Sequence, residues 1–368
     1  MIIYLITFFI TCVLCVILQK YIKNKILKVI FSILIILIPS IIGGFRDLTI
    51  GTDVLVYGEK YFKYANSYQN ILNYITSYDI DIGYLAINFL VSRFTNDVHI
   101  FLFVLQLIVN TLVFITLYKY KERVPLWLSM LCYLTLYYCR TFNFLRQSMA
   151  LAIVFWGIRY IEKKEFIKYF IVVLLASLFH PSAWIALLLY IINILLNSKN
   201  ERIYSFIIVS SALFVVLAFP ILMKVLNSLN ILPERYYNYL TIYARDEMNV
   251  NLIETFFRLF WIVIYLLFYK KITKQDGIYK MFGMACILDV ILFQLKNTIQ
   301  YTDRLAFYFG YMQILMYPIL IKNINNKKSQ QLLIQFISII ILLGFWYYKF
   351  AILKSCEVYP YTSSILGI

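Results

Sequence analysis

EFIKYFIVVLLASLFHPSAWIALLLYIINILL, residues 165–196, decides the topology of this chain. As one helix it would run about 48 Å, well beyond the ~30 Å of a bilayer's hydrocarbon. As a hairpin turning at His180-Pro181, each arm has ~14 residues, or about 21 Å, and the turn then lies below the outer surface. The two readings place the later loops on opposite sides. A single helix would flip every one of them, whereas the hairpin keeps the lysines and arginines on one side. With the N-terminus outside, six inner loops, from Lys20–Lys28 to Lys322–Lys328, hold twenty of the 34 basic residues and five of the 18 acidic ones. Basic residues mark the cytoplasmic side of membrane proteins, so the charge pattern selects the hairpin.

Composition agrees with a membrane chain. Of 368 residues 62% are apolar and 14% charged, where soluble domains have roughly 45–50% and 25%. The pattern predicts an all-α, polytopic integral membrane protein with one transmembrane domain over 1–368. Helices are expected at about 2–18, 26–42, 98–118, 125–139, 143–161, 165–179, 182–196, 203–223, 255–270, 278–296, 304–321 and 331–349, or about twelve. Two longer outer connections, 43–97 and 224–254, are expected to carry interfacial helices, one of them over 54–66. The first apolar run, Ile2–Leu18, has its lysines after it, which reads as a retained helix rather than a cleaved signal. The net charge of +16 is then topological, and no nucleic-acid partner is expected. Cys12 and Cys15 form a CxxC inside an apolar helix, where small apolar filler is the expected role. There is no Walker loop, HExxH, GxSxG or zinc spacing, and no metal or cofactor is expected.

The remaining polar groups gather at the outer ends of helices. Gly43-Gly44-Phe45-Arg46-Asp47 leads to Gly51-Thr52-Asp53 and Tyr57. Thr52 or Asp53 is expected to N-cap the helix over 54–66, and a capping carboxylate can also be functional. Arg140 and Arg146-Gln147-Ser148 flank a very short connection. An arginine opening a helix opposes the dipole and is costly near hydrocarbon, so either an anion compensates it or it snorkels to lipid phosphate. His180 and Ser182 mark the hairpin turn. Asp303-Arg304 precedes Tyr308, and Asp289 lies within a helix, where Arg258, Lys296 or Arg304 could pair with it. Tyrosines crowd both outer segments, as an interfacial belt does, and their faces also suit sugar rings. Guanidinium forks match phosphate oxygens, and an apolar chamber suits a lipid tail. A lipid diphosphate fits both. Cations would stabilise it as a leaving group, and histidine or a desolvated carboxylate could act as base.

The pattern Phe45-Arg46…Gly51-Thr52-Asp53…Tyr57, then Arg146-Gln147-Ser148-Met149-Ala150, His180-Pro181-Ser182, Arg304…Tyr308 and Pro360-Tyr361 resembles the EpsG family, relatives of the Wzy polymerases. Asp81-Gly83-Tyr84 resembles an acidic-Gly-aromatic element of that family, with Asp81 where many relatives carry Glu. The resemblance implies an enzyme at the outer face of the bacterial cytoplasmic membrane. It would polymerise undecaprenyl-pyrophosphate-linked repeat units into exopolysaccharide, capsule or O-antigen, with no metal and no nucleotide sugar. It implies catalytic roles for His180 and Asp53, and substrate binding by Arg46, Arg146 and Arg304. Tyr57, Arg140, Gln147, Ser182 and Tyr308 complete the candidate set. The expected partners are the lipid-linked glycan, membrane lipids, and a chain-length regulator and flippase of the same pathway. The rival readings are a glycan ligase, which differs only in acceptor, and a transporter of lipid-linked sugars. Transporters place polar groups at the midplane and often contain repeats, neither of which dominates here.

Overall fold

The computed structural model describes residues 1–229, 250–297, 302–325 and 327–368. The structure is 79% helix and has no strand among the described residues. The chain divides into two compact units, Met1–Trp184 with Tyr317–Ile368, and Ile185–Met316.

In the first unit α1 (Ile2–Lys20) and α2 (Lys25–Gly44) pack together across a short turn, with Asn24 capping α2 through Ile26 N–H at 2.8 Å. The next segment holds a π-helical turn over Val54–Glu59 and the short helices α3 (Lys60–Ser67), α4 (Ile71–Thr76) and α5 (Ile82–Ser92). Helical structure thus covers the stretch 54–66, where a helix is expected. Beyond it come α6 (Val98–Lys119), α7 (Leu126–Leu136), a 3-10 turn over Tyr138–Phe142, α8 (Leu145–Glu162) and α9 (Phe166–Ser177). Proline disfavours helical geometry in the residue before it, so α9 stops ahead of His180-Pro181. A 3-10 turn spans Pro181–Ala186.

In the second unit lie α10 (Leu187–Leu196), α11 (Glu201–Ser228), α12 (Leu252–Thr273), α13 (Ile278–Phe293) and α14 (Phe307–Gly310). The helix α15 (Gln313–Asn323) begins there and ends in the first unit, which α16 (Lys328–Tyr347) and the tail complete.

The expected count of twelve crossings is not reached by length. Among the described residues seven helices are long and apolar enough to span a bilayer, with an eighth if Thr302–Gly310 and Gln313–Asn323, bent by 46°, are one broken span. The others fall short for physical reasons. α7, α9 and α10 have 11, 12 and 10 residues, or about 15–18 Å at 1.5 Å per residue. α8 has 18 residues but carries Arg146, Arg159 and Glu162. The 224–254 connection, with Tyr236, Tyr237, Tyr239 and Tyr243, lies largely outside the described residues.

Polar side chains stitch the first unit's apolar helices together. Asn110 of α6 donates to Ser40 Oγ of α2 at 3.0 Å and accepts from Tyr133 of α7 at 2.7 Å. Such bonds between membrane helices contribute about 1 kcal/mol each. At one end of the unit, Glu162 pairs with Arg123 at 2.6 Å and Lys119 at 3.1 Å. Burial would raise the Glu162 carboxyl, but hydrogen bonds from Arg123 and Lys119 outweigh it and hold the pKa below its ordinary value. Gln19 accepts from Leu126 N–H at 2.8 Å, and Lys322 donates to the Arg123 carbonyl at 2.5 Å. These contacts join the end of α1, the α6–α7 loop and the ends of α8 and α15, all of which the charge pattern assigns to the inner side.

In the second unit α13 is the most enclosed span. Its Asp289 is fully buried, ion-paired with Arg258 of α12, and accepts a 2.6 Å hydrogen bond from Gln313. Arg258 also stacks on Phe293 at 4.0 Å and lies 4.0 Å from Glu254. Arg258, one of the cations the sequence offered to Asp289, pairs with it.

Candidate functional site

The opposite end of the first unit gathers most of the candidate residues. α2 exits through Gly43-Gly44 into a tight loop around Arg46, which is fully buried. Nη2 of Arg46 donates to the Phe142 carbonyl at 2.9 Å, Nε to the Ile50 carbonyl at 3.2 Å, and Nη1 to the Gly43 carbonyl. The guanidinium also stacks 4.6 Å from the Phe142 ring. Burial pulls its pKa down to about 10, so it stays charged at neutral pH. Arg46 thus ties the loop to the 3-10 turn after α7. A diphosphate would have to displace backbone carbonyls to reach it.

Gly51 makes the next approach. Its φ is +88°, and a Cβ there would lie 2.5 Å from the Phe142 carbonyl oxygen, so only glycine fits. The chain then enters the π-helical turn at Asp53, whose amide donates to Asn143 Oδ1 at 3.0 Å. The Asp53 side chain makes no capping bond. Thr52 donates to Glu357 of the tail at 2.6 Å. Neither residue caps in the expected way.

Arg146, at the start of α8, is the centre of the cluster. Its Nη1 pairs with Asp81 Oδ2 at 2.7 Å, and its guanidinium lies 4.0 Å over the Tyr57 ring. Both side chains of the pair are mostly enclosed, at 12% and 14% exposure. Of the two readings open for this helix-opening arginine, a compensating anion or lipid phosphate, the structure supplies an anion, Asp81. Tyr57 stacks in turn on Tyr61 at 6.2 Å, which starts a run of rings through Tyr78 and Tyr64. Tyr84, fully buried, finds no well-formed hydrogen bond for its hydroxyl, and the polar groups it feels are Asn88, Arg146 and Asp53. Desolvation raises its pKa and keeps it neutral.

Helix α5 brings the fifth element. Gly83 N–H donates to the Leu178 carbonyl at 2.7 Å, and a Cβ at 83 would sit 2.9 Å from that oxygen. This contact anchors the end of α9, two residues before His180, against Asp81 and Arg146. His180 Nδ1 lies 2.6 Å from Ser182 Oγ and accepts from the Ser182 amide at 3.3 Å. An amide can only donate, so Nδ1 is the acceptor in this contact and Nε2 is the ring nitrogen left to donate.

Arg140, 8% exposed, donates from Nε to the Leu136 carbonyl at 3.2 Å and faces the Tyr137 ring at 5.8 Å. Gln147 is buried beside Arg146 in sequence. Arg304 and Tyr308 belong to the second unit, in a 3-10 turn over Thr302–Leu305 and in α14, with Tyr308 fully buried. The structure therefore brings together Arg46, Asp53, Tyr57 and Arg146, with His180 and Ser182 joined to them through Leu178. The sequence reading missed Asn143 and Glu357. Asp81 was visible as a motif but had no role until Arg146 was found beside it.

An apolar cavity of about 370 Å³ lies between α1, α7 and α16, lined by residues such as Phe8, Val13, Trp127 and Leu343. The C-terminal tail closes over the Arg46 loop. Asp47 N–H donates to the Thr362 carbonyl at 3.0 Å, Ser364 N–H to Asp47 Oδ1 at 2.8 Å, and Tyr361 to the Ile42 carbonyl at 2.9 Å.

The sequence model of the EpsG family matches residues 29–363. No curated protein and no solved structure matches the chain.

Proposed function

The chain belongs to the EpsG family, and from that premise we propose that it is a polysaccharide polymerase acting at the outer face of the cytoplasmic membrane. Its donor is a glycan on a polyprenyl diphosphate, undecaprenyl diphosphate by family resemblance, and its acceptor is a hydroxyl of a second lipid-linked repeat unit. The observation that carries this reading is the enclosed Arg146, paired with Asp81, stacked on Tyr57 and tied through Gly83 and Leu178 to the His180 turn.

In the reaction the bond between the anomeric carbon and the diphosphate oxygen breaks, and the electron pair leaves with the diphosphate. Arg146 meets that developing charge with charge-assisted hydrogen bonds in a poorly solvated place, where they are strongest. His180, protonated on Nε2, acts as a donor to the leaving group. Asp53 takes the proton of the attacking hydroxyl as the new glycosidic bond forms. Arg46 holds the loop that carries Asp53, and is thus a positioning residue. Tyr57 fixes the guanidinium plane, Ser182 fixes the imidazole, and Arg140 and Gln147 support the α7–α8 turn. Arg304 and Tyr308 are assigned to glycan or diphosphate binding on the family's motif order. The apolar cavity suits a hydrocarbon chain.

The test is polymerisation in lipid nanodiscs with a defined lipid-linked repeat. The wild-type chain makes a ladder of products and Arg146→Ala makes none. A normal ladder from a folded Arg146→Ala protein would overturn the assignment. One feature favours a transporter instead, the bent span at 302–323 beside the buried Asp289. That reading predicts movement of single repeats across the bilayer with no elongation, which the same nanodisc and a liposome assay separate.

A further inference from the structure

Asp81 is the first residue before α5 and would ordinarily cap it, its carboxylate accepting a first-turn amide. It makes no such bond. The carboxylate turns instead to Arg146 Nη1 at 2.7 Å. Arg146 has five N–H donors, and among the described residues Asp81 is its one hydrogen-bond partner. The Tyr57 ring lies 4.0 Å from the guanidinium carbon. Arg146 also sits in the first turn of α8, where the helix dipole favours an anion and opposes a cation. A carboxylate satisfies that position with a single oxygen. A diphosphate, with more charge and more acceptors, satisfies it better.

Resting on the polymerase reading, we propose that Asp81 is a resident counter-anion, occupying the position that the substrate's diphosphate takes and competing with both substrate and product for Arg146. When the diphosphate binds, the carboxylate is displaced and stays in the favourable field of the α5 N-terminus. When the glycan has been transferred, the same carboxylate returns to Arg146 and expels the spent lipid diphosphate. The residue therefore sets affinity and product release, and takes no proton. No bond is made or broken at Asp81.

The inference predicts an unusual mutant. Asp81→Asn keeps the shape but removes the competing charge. It should bind farnesyl diphosphate about tenfold more tightly than wild type, equivalent to about 1.4 kcal/mol, and turn over more slowly because product stays bound. Asp81→Glu should restore wild-type affinity. Inorganic pyrophosphate, measured in parallel, distinguishes recognition of the diphosphate from that of its tail. A second measurement needs no variant: carbodiimide coupling of an amine to Asp81 in the wild-type protein should rise when farnesyl diphosphate is present. Unchanged or weaker binding by folded Asp81→Asn, or unchanged labelling, would make the pair a structural strut and sink the inference alone. Absence of any diphosphate binding by the wild type would sink the polymerase reading along with it.

Discussion

Arg46 and Arg146 look alike in sequence, each beside a glycine- or polar-rich turn at a helix end, and the fold gives them different work. Arg46 commits Nε, Nη1 and Nη2 to backbone carbonyls. Removing it strips three buried acceptors of a charged donor, so Arg46→Ala should cost roughly 3 kcal/mol or more, seen as a large drop in detergent thermal stability. Arg146 is held by one carboxylate and one ring, so Arg146→Lys should fold with stability within about 1 kcal/mol of wild type. It should still lose polymer, because lysine lacks the planar fork that stacks and binds bidentately. Equal losses of stability in the two variants would refute the distinction. The sequence singled out both arginines but not what holds them, because Phe142 is 96 residues from Arg46 and Asp81 is 65 from Arg146. Contacts at that separation have no local signature.

At the scale of elements, the informative feature is how little regular helix the site uses. Asp53 opens a π-helical turn, Arg140 lies in a 3-10 turn, and His180 lies between α9 and another. Hydropathy and spacing located the long helices well, since apolar length alone defines them. They overestimated α7, α9 and α10, because an apolar run does not reveal where it breaks into 3-10 geometry. Gly51 is the hinge point of this arrangement. Gly51→Ala forces a Cβ onto the Phe142 carbonyl at an unfavourable φ, a strain of about 1–3 kcal/mol. It should lower activity by displacing Asp53, and a fully active Gly51→Ala enzyme would show that the loop is not tightly positioned. The tail provides a second element-level test. Hydrogen bonds from Ser364 and Thr362 hold the Asp47 carboxyl below its ordinary range. The clasp is therefore complete above the ordinary aspartate pKa and weakens as pH falls through the depressed value. Carboxypeptidase should trim the tail faster in acid washes, and Asp47→Asn should be trimmed at neutral pH. A trimming rate independent of both would mean that Tyr361 and the other tail contacts hold it alone.

For the whole molecule, the contacts of the first unit gather at one end the loops that the charge pattern assigns to the cytosol. Lys119, Arg123, Glu162 and Lys322 meet at one end. The Arg46 loop, Arg146, the end of α9 and the C-terminal tail meet at the other. If basic loops face the cytosol, as the positive-inside bias requires, the candidate site and the tail face outward together. One native residue tests this without a fusion. Cys356 is partly exposed in the tail, while Cys15, Cys132, Cys139 and Cys286 are buried and Cys12 lies within α1. An impermeant maleimide added to intact spheroplasts should label the protein through Cys356, and Cys356→Ser should abolish that labelling. Labelling that appears only after the membrane is permeabilised would place the tail inside. Since the tail is hydrogen-bonded to the loop that carries Arg46 and Asp53, the candidate site would then open to the cytosol, where a polymerase of surface glycans could not use it.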